Sequence, residues 1–431
     1  MRLVLVDRCQ EARGKFYPLS LSRPLWELRC GFGSLREKLI GKIGAQDVVY
    51  FVPDYMADAY RADVSGAVND SSALSGDNLL ILDGRLKAET FDVPCDGPSE
   101  VGVETGGGVV YARITRNDVA RLDCRDIDGF IASAKAKLTN VPCALAKWQY
   151  TWDLVLANPD QLRADFEAAG RSGIEGTIDQ PKTILGSSKD VYIAQGARVH
   201  PMVVIDAEHG PVYIDQGAQI HPFSRIEGPC YIGRDSILLG AKCREGNSIG
   251  PMCRVGGEVE ESIIHGHSNK YHDGFLGHAY VGEWVNLGAL TTNSDLKNDY
   301  STVSVMLDGH NAIDTGSTKV GSLIGDHTKT SIGTLLNTGS YVGAMAIIMA
   351  TGKLLPKYIP SFSWFIEGVV TKGFGRRKLY ETAKTAMSRR PPPAGRWTQV
   401  QEAMWEAIFE ITAPQRQEAV AKGRKEMMTR R

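Results

Sequence analysis

Residues 213–228 read YIDQGAQIHPFSRIEG, with Ile214, Ile220 and Ile226 spaced six apart. YIAQGARVHP upstream puts Ile193 and Val199 on the same period, with Ile205 following, and YIGRDSILLG downstream continues it through Ile232 and Leu238. A helix repeats near 3.6 residues and a strand at 2, so a six-residue aliphatic period belongs to neither. With Gly, Ala, Asp or Asn beside the aliphatic position, it marks a parallel β-helix built from hexapeptides. Each hexapeptide is expected to form one face of a triangular coil. The aliphatic side chain points inward, small residues make the corner, and three hexads climb one rung. Such regularity is equally that of a scaffold without chemistry. The breaks are more informative: three extra residues fall around Glu208, His209 and Gly210, and the period blurs between Leu238 and Ile249. Insertions in a solenoid become loops on one face.

The chain has 431 residues, so two or three domains are expected. With 43% hydrophobic and 23% charged residues it reads as soluble and globular, and a net charge of -1 gives no case for nucleic acid or an anionic membrane as partner. The start, Met1 to Val6, reads as a short buried strand, too brief for a signal peptide. No apolar run approaches the roughly 20 residues of a membrane span. Eight scattered cysteines without a C-x-x-C pair favour a reduced, cytoplasmic protein with neither a disulfide framework nor a zinc site.

Residues 1–175 lack the hexad period. The runs RLVLV, DVVYFV and NLLILDG alternate with helix-like SLREKLIGKI and DYMADAYRADV, which predicts an α/β layer domain with a largely parallel sheet. WDLVLANPDQLRADFEAAG reads as a connecting helix following a turn at Asn158 and Pro159. The β-helix domain is expected over 176–355, its clearest hexads from about Thr183 to Ile348. From 356 to 431 a tail of two helices joined by RRPPPAGRW carries excess Lys and Arg, including Arg376, Arg377, Lys378, Arg389, Arg390, Arg424 and Lys425. A solvated face and a site for a phosphate-rich ligand are both compatible with that run.

The densest polar stretch is SIIHGHSNKYHDGFLGHAYVGEWVNLGALTTNSDLKNDYSTV, from Ser262 to Val303, with His265, His267, His272 and His278 in its first half. Alternating strand residues face opposite ways, and no ligand set completes a metal site. General acid/base work suits an imidazole here better.

This block resembles the acetyltransferase domain of the bifunctional UDP-N-acetylglucosamine pyrophosphorylase/glucosamine-1-phosphate acetyltransferase family, where an H-x-x-x-L-G-x-A-x-x-G-x-x-V-N-x-G-A run lies on a left-handed β-helix. The opening FYPLSLSRPLWELRCG and the connecting WDLVLANPDQLRADFE extend the likeness to the family's divergent bacterial branch. The resemblance implies that His272 is the general base deprotonating a sugar amine as it attacks the acetyl thioester. It implies that Asn286 and Asn293 hold the sugar, and that Lys297 meets its phosphate; Lys270 is a second phosphate candidate on charge alone. Backbone N–H groups of Gly288 and Ala289 fall where the family stabilises the oxyanion. Asparagines at these places also suit β-helix corners. Phe275 replaces a tyrosine of the better-known enzymes, Leu290 a glycine, and Glu260 a lysine. Acetyl-CoA would lie along the groove between adjacent β-helices, near Thr334, with its phosphates near basic residues such as Arg376 and Arg377.

By the same resemblance, residues 1–175 form a sugar nucleotidyltransferase domain using UTP and Mg²⁺. The Gly-rich loop that cradles a triphosphate in such domains is replaced by DRCQEARGKFYPLSLSRP, where only Arg13, Gly14 and Lys15 offer anything comparable. Asp83, at a strand's C-terminal end, is the candidate metal ligand, though Asp before Gly is equally a turn. The expected protein is therefore an α/β nucleotidyltransferase-like domain, a left-handed β-helix acyltransferase and a helical basic tail. It would transfer acetyl from acetyl-CoA to an amino sugar phosphate, best glucosamine 1-phosphate, as a homotrimer. Two alternatives remain: a nucleotidyltransferase with the β-helix as oligomerising scaffold, and a non-catalytic sugar-nucleotide-binding protein.

Overall fold

The computed structural model describes residues 1–123, 125–181, 183–391 and 395–429. The N-terminal part is a six-stranded sheet in the order Val48–Phe51, Arg2–Val6, Leu79–Asp83, Val109–Ile114, Glu100–Val103, Thr139–Pro142. The first three strands are parallel, in keeping with their near-continuous apolar runs, which suit burial on both faces. Val109–Ile114 then runs antiparallel to both its neighbours. Because Arg2–Val6 lies between two strands that follow it in sequence, the crevice beyond its C-terminal end is the topological switch point.

One continuous helix, Thr151–Ala169, leads out of this layer with Pro159 inside it. The expected turn at Asn158 and Pro159 is corrected here, and the reason is tertiary. Asn158 is fully buried, accepts from Gly31 N (2.7 Å) and Ser248 Oγ (2.9 Å), and donates to Gly246 O (2.8 Å). Contacts to both neighbouring layers hold the helix through the proline, whose local cost they exceed.

The parallel β-helix begins at Gly173–Ile174 and its last parallel strand is Trp364–Ile366, past both edges of the expected 176–355; Val369–Thr371 then turns back antiparallel to it. On one face, Ile193, Ile214, Ile232, Ile249, Ile264, Val281, Ile324, Val342 and Ile359 pair rung to rung, and all are buried. This inward column is the hexad period made physical. At roughly 25 cal/mol per Å² of apolar surface, such side chains contribute about 2 kcal/mol each.

The corners depart from the small residues expected. Three positions after each aliphatic of this column stand Gly196, Gly217, Asp235, Met252, His267, Trp284, His327, Met345 and Phe362, all with positive φ. A turn of this shape suits glycine; bulky side chains there carry strain. The upper corners repay that with stacking. His267 stacks on Trp284 with ring centroids 4.5 Å apart, and His327 and Phe362 meet Trp405 at 5.4 and 6.1 Å. Trp405 belongs to Gln399–Ile411, one of three tail helices where two were expected, with Gly375–Met387 and Ala413–Thr429. The tail thus docks on the corner ridge, and its middle helix also packs on Asp54–Arg61 of the α/β layer.

The α/β layer sits on the same coil. Phe32 lies 4.8 Å from both Tyr213 and Tyr231 of an outward tyrosine ladder. Arg23 is buried against Asp326 at 2.6 Å. Among the described residues no helix is long and apolar enough to cross a membrane.

Candidate active site

One cavity of 440 Å³ gathers His272, Asn286, Gly288 and Ala289 from the β-helix with Arg389 and Arg390 from the tail. Arg254, Asn269, Tyr271 and Ile332 complete its walls. His272 follows the two-residue strand Asn269–Lys270, on a turn between rungs, and its ring is exposed to the cavity, edge-on to Tyr271.

The other three histidines of the block are held by carboxylates. His265 donates from Nε2 to Glu27 O (2.8 Å), while its Nδ1 lies 3.4 Å from Glu283. His267 Nδ1 lies 3.6 Å from the same carboxylate. His278 is clamped between Asp295 (2.8 Å) and Glu261 (3.2 Å); although burial opposes the charge, the bonds to both carboxylates together push its pKa up to about 9. His272 has no such partner among the described residues, which leaves its nitrogens available to a substrate.

Lys270 is buried and points away from the cavity. Its ammonium donates to His272 O (2.6 Å) and Gly256 O (3.1 Å), and burial pushes its pKa down to about 8. The phosphate-contact expectation for Lys270 is corrected: this cation braces the turn that carries His272. Asn293 is corrected likewise, since both its side-chain atoms are spent on Gly277, accepting from N and donating to O at 2.8 Å each. Gly288 N–H is bonded to Thr330 Oγ1 at 3.0 Å. Of the two expected oxyanion donors, only the Ala289 N–H remains without a partner among the described residues.

Lys297 lies in the long excursion between Val281 and Ile324, outside the cavity. Its ammonium is held by Ser301 Oγ and Thr302 O. Thr334 is buried with its hydroxyl on Ser331 O (2.8 Å), while nearby Ile332 faces the cavity instead. Arg376 is paired with Glu406 (2.8 Å) and Arg377 lies 4.0 Å from Glu381, so neither reaches this site. Glu260, where a lysine was the pattern, is buried between Arg244 and Lys319. Arg254 is the cavity cation that sequence reasoning did not name, and Arg389 and Arg390 were named only within the basic run of the tail. The Arg-Arg pair immediately before the proline run was the available signal.

A second cavity, of 220 Å³, lies at the switch point of the α/β layer and is lined by Asp7, Arg8, Asp83, Arg85 and Asp128. Asp83 takes two bonds from Arg85, at 3.0 and 2.6 Å, with Lys147 at 3.9 Å. A carboxylate so surrounded by cations does not fit a Mg²⁺ ligand as arranged. Arg13 is fully buried on Asp7 and Ser20 O, so it offers nothing to a triphosphate. Lys15 lies over the Tyr150 ring at 5.9 Å, away from this cavity.

A switch-point crevice in an α/β layer followed by a β-helix with its own polar cavity defines a two-site chain. Residues 3–172 match the family model described as sugar nucleotidyl transferase. In segments, the chain is similar to bifunctional GlmU-type proteins. It is 29% identical over 154 residues to the bifunctional protein GlmU of Rippkaea orientalis, covering 35% of this chain and 32% of that one. It is 27% identical over 211 residues to the protein of that name from Acaryochloris marina, covering 48% and 39%. Over 91 residues it is 36% identical to the bifunctional sugar-1-phosphate nucleotidylyltransferase/acetyltransferase of Sulfurisphaera tokodaii, covering 21% and 22%. The matched segments thus span well under half the length of each relative.

Proposed function

We propose that the protein is a transferase whose β-helix moves an acetyl group from acetyl-CoA to the amine of an amino sugar phosphate, glucosamine 1-phosphate being the best candidate. The single observation carrying this reading is the convergence of a free imidazole, His272, with Asn286 and an unpartnered Ala289 N–H on one cavity. His272 would take a proton from the attacking amine as nitrogen bonds to the thioester carbonyl carbon. Ala289 N–H would meet the oxyanion, and collapse of the adduct would expel the CoA thiolate, which takes up the proton. Asn286, exposed at the cavity wall, would orient the sugar hydroxyls.

A homotrimer fits this reading. Ile332, in the cavity wall, is 73% exposed, an apolar surface that a neighbouring coil or the pantetheine arm would cover. The N-terminal family match supports sugar 1-phosphate nucleotidyl transfer from UTP as a second activity. The pairing of Asp83 with Arg85 and of Arg13 with Asp7 favours a variant reading for that half, in which it binds sugar nucleotide without turnover. A division into an α/β layer, a β-helix and a helical tail, and a cytoplasmic location, belong to the same proposal.

Thiol release from acetyl-CoA on adding glucosamine 1-phosphate tests the acetyl transfer. Release that depends on the sugar supports it, and none with any amino sugar phosphate refutes it. UTP-dependent pyrophosphate release, measured separately, decides the second half.

A further inference from the structure

We infer that Arg254, Arg389 and Arg390 form an anion subsite in the His272 cavity, shaped for a phosphate monoester carried by a substrate. The identity of that carrier rests on the acetyl-transfer reading; the subsite itself rests on the arrangement of charge.

All three guanidinium groups line the same cavity. Among the described residues, no carboxylate lies within ion-pair distance of any of them. Three other tail cations do have such partners: Arg376 is paired with Glu406, Lys378 with Glu381 at 3.3 Å and Lys384 with Glu402 at 2.8 Å. What sets Arg389 and Arg390 apart in the tail is that both line the cavity holding His272 and neither is paired with a carboxylate among the described residues.

Two of the three are held rigidly by neutral groups. Arg390 donates from Nη2 to Asn269 Oδ1 (2.8 Å) and from Nε to Met252 O (3.3 Å). Arg254 donates from Nη1 to Asp235 O (3.0 Å) and Cys253 O (2.9 Å). Each keeps further N–H groups free. Asn269 in turn donates to Asn286 Oδ1 at 3.2 Å, so the arginine anchor and the proposed sugar contact form one hydrogen-bonded chain. Burial depresses the Arg390 pKa, and the neighbouring Arg254 and Arg389 charges depress it further. Converging like charges repel one another unless an anion sits between them. A phosphate supplies two charges and several acceptors, which a guanidinium fork meets in a bidentate manner.

The sugar phosphate and the phosphates of CoA are the two sources of that chemistry. Calorimetric titration of the full chain separates them, using glucosamine 1-phosphate in one arm and coenzyme A in the other. The wild type is compared with Arg389→Ala, with Arg254→Ala/Arg389→Ala and with Arg389→Lys. The double variant should weaken one probe by at least about tenfold, as expected for a lost charge-assisted contact. Arg389→Lys should recover part of that, and the probe affected names the carrier. Glucosamine without phosphate should bind all variants alike. Should the double variant misfold, Arg389→Ala, an exposed position, gives the same reading alone.

Unchanged binding of both probes to the variants overturns the subsite. If the wild type still releases thiol in that case, the transfer reading stands and only this inference falls. A wild type that binds neither probe sinks both. Binding that depends on the arginines without any thiol release leaves the anion subsite and removes the transfer reading.

Discussion

The Lys270 ammonium donates a 2.6 Å hydrogen bond to the backbone carbonyl of His272 and reaches Gly256 O at 3.1 Å, tying two successive rungs together beneath the candidate base. The cation most expected to meet a phosphate is instead a buried strut. The orientation of the imidazole therefore depends on a side chain that never sees the cavity.

Lys270→Met, which keeps the chain length and removes the donor, should lower kcat by about tenfold through loss of that orientation. The KM for acetyl-CoA should stay near the wild-type value. A steady-state split of the two constants checks this; an effect on KM alone would mean that Lys270 meets substrate after all.

Stability should fall as pH rises from about 6.5 to 9. Asp295 and Glu261 raise the His278 pKa to about 9 in the folded chain. The imidazolium's stabilisation is complete below the unfolded value near 6.5 and is lost as pH rises through the folded value. The loss is on the order of 2–3 kcal/mol. Urea denaturation across this range checks it, and His278→Gln should flatten the dependence.

Asn158→Ala should destabilise the chain by about 2–4 kcal/mol, because Gly31 N and Gly246 O lose buried partners at once. Since Asn158 joins the α/β layer to the coil, denaturant unfolding monitored at both should also separate into two transitions. A single transition at the wild-type midpoint would remove that role.

Trp405→Ala should release the tail from the corner ridge. Removing a fully packed indole costs about 3–5 kcal/mol locally, and Trp405 is 3% exposed between His327 and Phe362. Limited proteolysis should then cut near Gly375–Met387 in the variant before it cuts the coil. A tail equally protected in both proteins would contradict the docking account.

The inward column was legible because one side-chain period, six, has one physical solution, a coil whose aliphatics stack. His272, Asn286 and Ala289 were named through the family resemblance and not through the period, and the fold brings all three to one cavity. What escaped depended on contacts far apart in sequence. Pro159 argues locally for a break, yet Asn158 is held by Gly31 and Gly246 across two layers. Trp284, His327 and Phe362 stand at positive-φ corners where local preference calls for glycine, because Trp284 stacks on the neighbouring corner histidines and tail tryptophans meet His327 and Phe362. Lys270 and Lys297 read alike as free cations in the sequence, and only burial and the loop course separate them from Arg389 and Arg390.

The central claim is that His272 is the base of an acetyl transfer. Thiol release from acetyl-CoA with glucosamine 1-phosphate, compared between the wild type and His272→Ala, tests it most directly. The account predicts a kcat lowered by about 10²- to 10⁴-fold with an acetyl-CoA KM near that of the wild type. A substituted protein that turns over at the wild-type rate would contradict it.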